Sequence, residues 1–373
     1  MKKPWGKLTG VRPTKKARKL LAEGVSVEKL PEVLAKEYKI SKPKIKLLMA
    51  TLDNQEIISD DYVVDFYVNI PICPTRCLYC SFISAELKYA EKILPDYLNA
   101  LALEITEAKK LIQKNGWYVR SVYIGGGTPT VLSAEQLDFL LKNLQFGNVE
   151  FTVECGRPDT ITSEKLLVLK KYGVTRISIN PQTFSEKTLQ KISRQHTAKQ
   201  VFDAFEEGRK LGFDINMDLI AGLGEESFKT LKTSLKTALN LKPENLTVHT
   251  LSVKKGSCLQ GQNVKNSAVK KMVDYAYKML SKSGYVPYYM YRQKNQLGNL
   301  ENIGYTLAGK QCRFNVDSME ETVSILACGA NAISKYVDHK NKKILRASNA
   351  KFLKDYISRL DELIERKNKI FQK

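Results

Sequence analysis

The sequence lacks the features that would send a chain into a membrane or out of a cell. Its 373 residues contain no run of 18 apolar residues, so no bilayer-spanning helix is expected. No apolar segment follows the basic start Met1-Lys2-Lys3-Pro4-Trp5, so no secretory signal is expected either. Together the two absences point to the cytoplasm. No internal repeat or low-complexity tract stands out. The composition is not that of a disordered chain: 43% hydrophobic and 9% aromatic residues are enough for a packed core. A chain of this length buries roughly three quarters of its unfolded surface. Paired cysteines are also missing. The seven present are odd in number, and without an export signal a disulfide framework explains them poorly. Charge balance is absent as well: 60 Lys plus Arg against 39 Asp plus Glu leave a formal charge of +21. Such an excess can serve nucleic acid, a membrane surface or an anionic small molecule. The lysines are spread along the chain, as on ordinary solvated faces.

What is present divides the chain into three: a helical segment over 1–60, a core over 61–255 and an α+β part over 256–373. In the first, Leu20, Leu21, Val27, Leu30 and Leu34 recur at helical spacing, punctuated by Gly24 and Pro43. In the core, short β-branched or aromatic runs at 65–70, 121–124, 149–154, 175–179, 214–219 and 246–251 alternate with amphipathic stretches at 95–113, 133–143, 163–172, 198–211 and 227–241. Six alternations predict right-handed βαβ units and a parallel sheet. Six units are too few for a closed eight-fold barrel, so a partial barrel or an open doubly wound sheet is expected. Either would place its chemistry at the C-terminal strand ends. Beyond 252 the pattern predicts a helix at 268–283, the aromatic run 285–292, a Gly/Asn-rich turn region through Gly298 and Gly304, a strand near 325–333 and a Lys-rich final helix from Asn349.

Three cysteines, Cys73, Cys77 and Cys80, fall within eight residues directly after the first strand. Thiolates are the usual ligands of iron–sulfur clusters. A C-x-x-x-C-x-x-C loop can wrap three corners of a [4Fe–4S] cube and leave the fourth iron open. Structural zinc asks for four ligands, usually two C-x-x-C pairs. No second pair exists, and His196, His249 or Cys155 would have to arrive from far along the chain. The pattern favours the cluster.

The spacing, the loop position and the aromatic Tyr79 before the last cysteine resemble the signature of the radical S-adenosylmethionine (SAM) superfamily. Gly125-Gly126-Gly127-Thr128 after the second strand is similar to its glycine motif, in which glycines let a methionine group approach backbone N–H donors. The segments around Glu154, Arg176–Phe184, Arg194–Thr197 and Asn216–Gly224 resemble, in that order, the oxygen-independent coproporphyrinogen III oxidases. Tyr291–Asn295, Gly298–Asn302 and Met319–Glu321 are similar to the HemZ-type branch. The resemblance implies an α/β fold, a partial (β/α)6 TIM-like barrel with a helical cap and an α+β appendage. It implies two cofactors, a [4Fe–4S] cluster on Cys73, Cys77 and Cys80, and SAM on the open iron. Tyr67 would lie near the sulfonium. Tyr79 and the stretch Gly125, Gly126, Gly127 and Thr128 would line the SAM site. Glu154 would contact SAM, Gln182 would sit at the next strand end, Arg194 would pair with the SAM carboxylate and Asp218 would hold the ribose hydroxyls. A cationic fork suits a carboxylate, and a carboxylate suits a diol or an ammonium.

The activity implied is oxidative decarboxylation of coproporphyrinogen III propionates to vinyl groups, giving protoporphyrinogen IX in anaerobic heme biosynthesis. The implied partners are the porphyrinogen and a reducing electron donor such as flavodoxin or ferredoxin. Neither a membrane nor nucleic acid is expected, since no aromatic RNA-binding signature accompanies the charge. One departure motivates an alternative. Well-characterised oxidases of the family carry a further cysteine as C-x-C after the third, where Ser81 and Phe82 stand here. Related heme chaperones lack it too, so a heme-trafficking role on the same scaffold is the second expectation. His249 and the run Tyr288, Tyr289, Tyr291 are weaker candidates for an inward-facing site. Cys155, Cys258, Cys312 and Cys328 read as small hydrophobes.

Overall fold

The computed structural model describes residues 3–81, 84–262 and 264–372, so Phe82 lies outside the described residues. Six strands form the centre: β1 (Val63–Ile70), β2 (Tyr118–Gly126), β3 (Glu150–Val153), β4 (Arg176–Ser178), β5 (Asp214–Ala221) and β6 (Asn245–Thr250). They pair in parallel in sequence order. That order fits a partial barrel and not a doubly wound sheet, whose order reverses at a switch point.

Each strand feeds a helix: Leu94–Asn115, Ala134–Lys142, Ser163–Lys171, Ala198–Lys210, Phe228–Leu241 and Val269–Lys282. Local chemistry sets their ends. Ser133 accepts from the Gln136 N–H at 3.2 Å while Gln136 accepts from the Ser133 N–H at 3.0 Å, a reciprocal cap. Thr197 and Gln200 repeat it. Gly116, at φ 63°, ends the first barrel helix in the left-handed conformation.

Strand alternation decides what faces the barrel interior. In β1, Val64, Phe66, Val68 and Ile70 are buried in the largest apolar cluster with Leu101 and Ile105 of the first helix. Asp65, Tyr67 and Asn69 therefore take the opposite face. The same alternation in β5 separates Ile215, Met217 and Leu219 from Asn216 and Asp218.

The C-terminal strands extend the same sheet at both edges. β7 (Val286–Tyr291) and β8 (Asn302–Thr306) add antiparallel beyond β6, with β8 next to it. β9 (Ser324–Cys328) pairs in parallel with β1, followed outward by β10 (Ile333–Asp338) and β11 (Lys343–Ser348). β8 replaces part of the expected turn region. Its Gly304 is required because the Tyr289 ring occupies the place of a side chain. The N-terminal segment forms helices Pro13–Ala22, Leu30–Lys36 and Lys42–Asp53, which share an apolar cluster with Met290, Ile303 and Tyr305. Trp5 Nε1 donates to Glu301 at 2.7 Å and Lys44 pairs with the same carboxylate at 2.5 Å, pinning this cap to the sheet. Among the described residues no helix is long and apolar enough to cross a membrane.

Candidate active site

The loop leaving β1 is closed at its base by a two-residue parallel pairing of Ile72–Cys73 with Ala85–Glu86. Within it the Cys80 N–H donates to the Cys77 carbonyl at 3.0 Å, and the Leu78 N–H donates to the Ile192 carbonyl at 3.1 Å. Cys73, Cys77 and Cys80 all line one cavity of about 290 Å³ at the C-terminal ends of the strands. The seven cysteines are free thiols. Burial, against which a Thr128 hydrogen bond acts, pushes the Cys73 thiol up to about 12. Such a group becomes a thiolate only beside a metal or a cation.

Three cysteines of one loop facing one cavity offer a donor set of the kind a site-open iron–sulfur cube takes. Among the described residues no three His, Cys, Asp or Glu side chains converge closely enough to hold a single metal ion. A cube offers a separate iron to each thiolate, so its ligands stand apart around a body several ångströms wide. The residues fit that group better than a mononuclear zinc.

The glycine loop is stitched to the cysteine loop. Gly127 N–H donates to the Ile70 carbonyl and Thr128 N–H to the Ile72 carbonyl, both at 2.8 Å. Thr128 Oγ1 lies 3.2 Å from Cys73 Sγ. A Cβ on Gly127 would meet the Ile72 backbone O at 2.5 Å and N at 2.7 Å. These glycines thus serve close approach of two backbones as well as an open cavity wall. Gly126, Gly127 and Thr128 line the cavity, whereas Gly125 does not; it packs beside the Glu154 carboxyl, 3.0 Å from where its Cβ would be. Tyr67 is not in the lining either. Its hydroxyl donates to Asn69 Oδ1 at 2.8 Å, and its ring stacks on Phe314 at 5.5 Å.

The same cavity is lined by Glu154, Gln182, Arg194 and Asp218, and by Tyr79 of the cysteine loop. Burial pushes the Glu154 carboxyl up to about 7, opposed by the Tyr123 hydroxyl that donates to it at 2.7 Å. Burial also raises Asp218, but hydrogen bonds from His249, Asn216 and Thr247 outweigh it and hold the carboxyl below its ordinary value. Gln182 adopts φ 63°, a left-handed backbone rare for a long side chain. Its N–H donates to the Asp218 carbonyl at 2.9 Å and its carbonyl accepts from the Ile220 N–H at 3.0 Å, which fixes the strain at the rim. The Gln182 Oε1 and Asn180 Oδ1 atoms are buried without a protein partner. Two orphan acceptors on one cavity wall call for a ligand that donates hydrogen bonds.

Arg194 is saturated. Nε donates to His196 Nδ1 at 3.2 Å, Nη1 to Tyr79 at 3.3 Å and Cys77 Sγ at 3.8 Å, and Nη2 to the Gly156 and Asn180 carbonyls. All five N–H groups are used, so a carboxylate reaching this guanidinium must displace one partner. Burial and the adjacent Arg194 push His196 down to about 3, leaving its imidazole neutral.

Sequence reasoning missed Arg157. It is 2% exposed, paired with Asp159 at 2.7 Å, and donates to Thr75 Oγ1 at 3.1 Å and Cys77 Sγ at 4.0 Å. A second guanidinium therefore backs the Cys77 sulfur. Its one sequence signal was position, three residues past Glu154 on the same strand exit. Asn180, Lys254 and Asn302 also line the cavity. His249 and Tyr291 reach it as well; Tyr288 and Tyr289 do not, being packed together at 4.8 Å between ring centroids.

A partial barrel with a three-cysteine loop at its strand ends defines a class, and comparison with known proteins agrees. The family description "Radical SAM superfamily" matches residues 67–238. The chain is 40% identical over 99% of its length to the "Oxygen-independent coproporphyrinogen-III oxidase-like protein HemZ" of Bacillus subtilis (strain 168), covering 78% of that protein. It is 41% identical to the "Heme chaperone HemW" of the same organism over half of each chain. Among solved structures, coproporphyrinogen III oxidase (HemN) from Escherichia coli superposes with a TM-score of 0.61 at 22% identity, over 81% of this chain and 70% of that one. That likeness speaks for the fold. The chain belongs to the radical SAM superfamily and, within it, to the oxygen-independent coproporphyrinogen-III oxidase-like family in its HemZ-type branch.

Proposed function

We propose that the chain catalyses oxidative decarboxylation of two propionate side chains of coproporphyrinogen III, giving the divinyl product protoporphyrinogen IX. The observation that carries the reading is the convergence of Cys73, Cys77 and Cys80 with Glu154, Gln182, Arg194 and Asp218 on one cavity. The full-length similarity to a coproporphyrinogen-III oxidase-like protein supports the substrate. In this reading the three cysteines hold a [4Fe–4S] cluster. When bound, cluster and SAM together supply one-electron cleavage of the sulfonium and hence a hydrogen-abstracting radical.

The chain's own residues orient and shield. Arg157 and Arg194 beside Cys77 Sγ stabilise thiolate charge. The cavity wall of Gly126, Gly127 and Thr128 receives the methionine end, and the orphan acceptors of Gln182 and Asn180 receive donors from it. Glu154 takes the ammonium. Arg194 takes the carboxylate by exchanging its Tyr79 contact, which at 3.3 Å is longer than its two to the Gly156 and Asn180 carbonyls. Asp218 takes the ribose diol, and Tyr67 stays near the sulfonium from behind Asn69. Lys254 on the cavity wall supplies a cation for a substrate with four carboxylates. An external one-electron reductant of the flavodoxin or ferredoxin type starts each round, and a one-electron acceptor takes the electron that the substrate radical gives up as it loses CO2; the reaction belongs in the cytoplasm.

The test is anaerobic reconstitution with iron, sulfide, SAM and a reductant, then product analysis by chromatography. Monovinyl and divinyl products are expected. Formation of 5′-deoxyadenosine with no vinyl product from coproporphyrinogen would sink the substrate assignment while leaving the radical chemistry intact.

A second reading, a heme-trafficking protein on the same scaffold, is favoured by the similarity to a heme chaperone and by Ser81 and Phe82 in place of C-x-C. Titration with heme separates the two. An unchanged Soret band would exclude trafficking, and transfer of heme to an apo-acceptor without decarboxylation would favour it.

A further inference from the structure

His249 projects from β6 into the cavity wall and is the one histidine lining it among the described residues. Its Nε2 lies 3.5 Å from Asp218 Oδ2, and its Nδ1 lies 3.4 Å from the Tyr291 hydroxyl. Asp218 Oδ1 accepts from Asn216 Nδ2 at 3.0 Å. Tyr291 is steadied by its neighbours: its ring stacks on Tyr289 at 6.5 Å and meets the His249 ring edge-on at 6.4 Å.

We propose that His249, oriented by Tyr291, is a positioning residue that aims the Asp218 carboxylate at the two hydroxyls of a ribose, an inference that rests on the SAM site proposed above. An ionised carboxylate offers about four acceptor positions. Asn216 occupies one on Oδ1, Thr247 takes another, and His249 stands 3.5 Å from Oδ2, so the face left to a ligand is narrow and depends on how the carboxylate is turned. A vicinal diol, which must meet it with two hydroxyls, is sensitive to that turn. The Tyr291 hydroxyl lies 3.4 Å from Nδ1; when it donates there, the imidazole N–H is left on Nε2, toward Asp218. Without His249 the carboxylate loses its neighbour at Oδ2 and turns more easily about its terminal bond, which is soft. A single-hydroxyl ligand is indifferent to this; a diol is not.

The measurement is calorimetric binding of SAM and of its 2′-deoxy analogue to the anaerobically reconstituted protein. The parent should prefer SAM. His249→Phe, which keeps a ring and removes both nitrogens, should weaken SAM about tenfold, the scale of a hydrogen bond to a charged group. It should leave the deoxy analogue little changed, so the preference collapses. His249→Asn, which retains an N–H donor, should recover much of it. Tyr291→Phe should shift it in the same direction by a smaller factor, and it serves alone if His249→Phe does not fold. Cluster absorbance should stay at the parent level throughout. An undiminished preference in these variants, or equal loss for both ligands, overturns the proposal. A parent with no preference at all overturns the ribose role of Asp218 as well.

Discussion

Glu154 is a carboxyl placed between two demands. Burial favours its proton and pushes it up to about 7, while the Tyr123 hydroxyl favours the charge. A ligand ammonium beside it would favour the ionised form. Binding below pH 7 must therefore release a proton. SAM affinity should rise roughly tenfold between pH 5.5 and 7 and level off above. Glu154→Gln should be flat over that range, and titration calorimetry at a few pH values reads both. A slope that survives in the variant would place the proton on another group. At this scale, the cysteines were legible because spacing within one loop is written in the sequence. Glu154 and Asp218 were legible by resemblance and as strand-end carboxylates. Arg157 was not, because the partners that bury it, Thr75 and Cys77, lie about eighty residues earlier. Nor was the saturation of Arg194, which depends on where two carbonyls fall in space.

The glycine and cysteine loops act as one element. The contact a Gly127 side chain would make is with backbone of Ile72 and not with a side chain that could move aside. Gly127→Ala should push the cysteine loop off its seat. A cost of about 2 kcal/mol is expected, within the range for overpacking, together with fewer irons retained per chain. Melting temperature and iron content measure the two effects; parent values for both would mean the backbone approach does not hold the loop. The strands and helices of the core were readable because period-2 and period-3.6 patterns alternate cleanly. The six strands begin and end within three residues of the sequence expectation. β8 was hidden because its Gly304, read as a turn signal, answers to a tyrosine ring on the neighbouring strand. Pairing of β9 with β1 was hidden because a parallel partner some 260 residues away leaves no local mark.

Across the whole molecule, that distant pairing is locked by a buried ionic network. Glu104 on the first barrel helix is fully buried. It takes Lys367 of the last helix (Leu360–Phe371) at 2.5 Å, Asn349 at 2.8 Å, the Tyr356 hydroxyl at 2.6 Å and the Gly329 N–H at 2.7 Å. The turn so held reaches the active site. The Ala330 carbonyl accepts from Asn69 Nδ2 at 2.6 Å, and Asn69 Oδ1 accepts from Tyr67. Asn69 stands four residues before Cys73, so the C-terminal helix bears on the cysteine loop through one continuous chain of contacts. Desolvating two charges stabilises little by itself, but leaving one of them alone is costly. Lys367→Met should therefore destabilise by about 3–5 kcal/mol, and the double change Glu104→Gln with Lys367→Met should recover most of that. Urea midpoints of the parent, both single variants and the double give the coupling. Iron retention should follow the same order, low in Lys367→Met and restored in the double. A single variant that loses less than about 1 kcal/mol, the scale of an exposed pair, would show that the last helix is merely laid against the barrel. Loss of stability without loss of iron would show that the clamp ends at the sheet edge and does not reach Asn69.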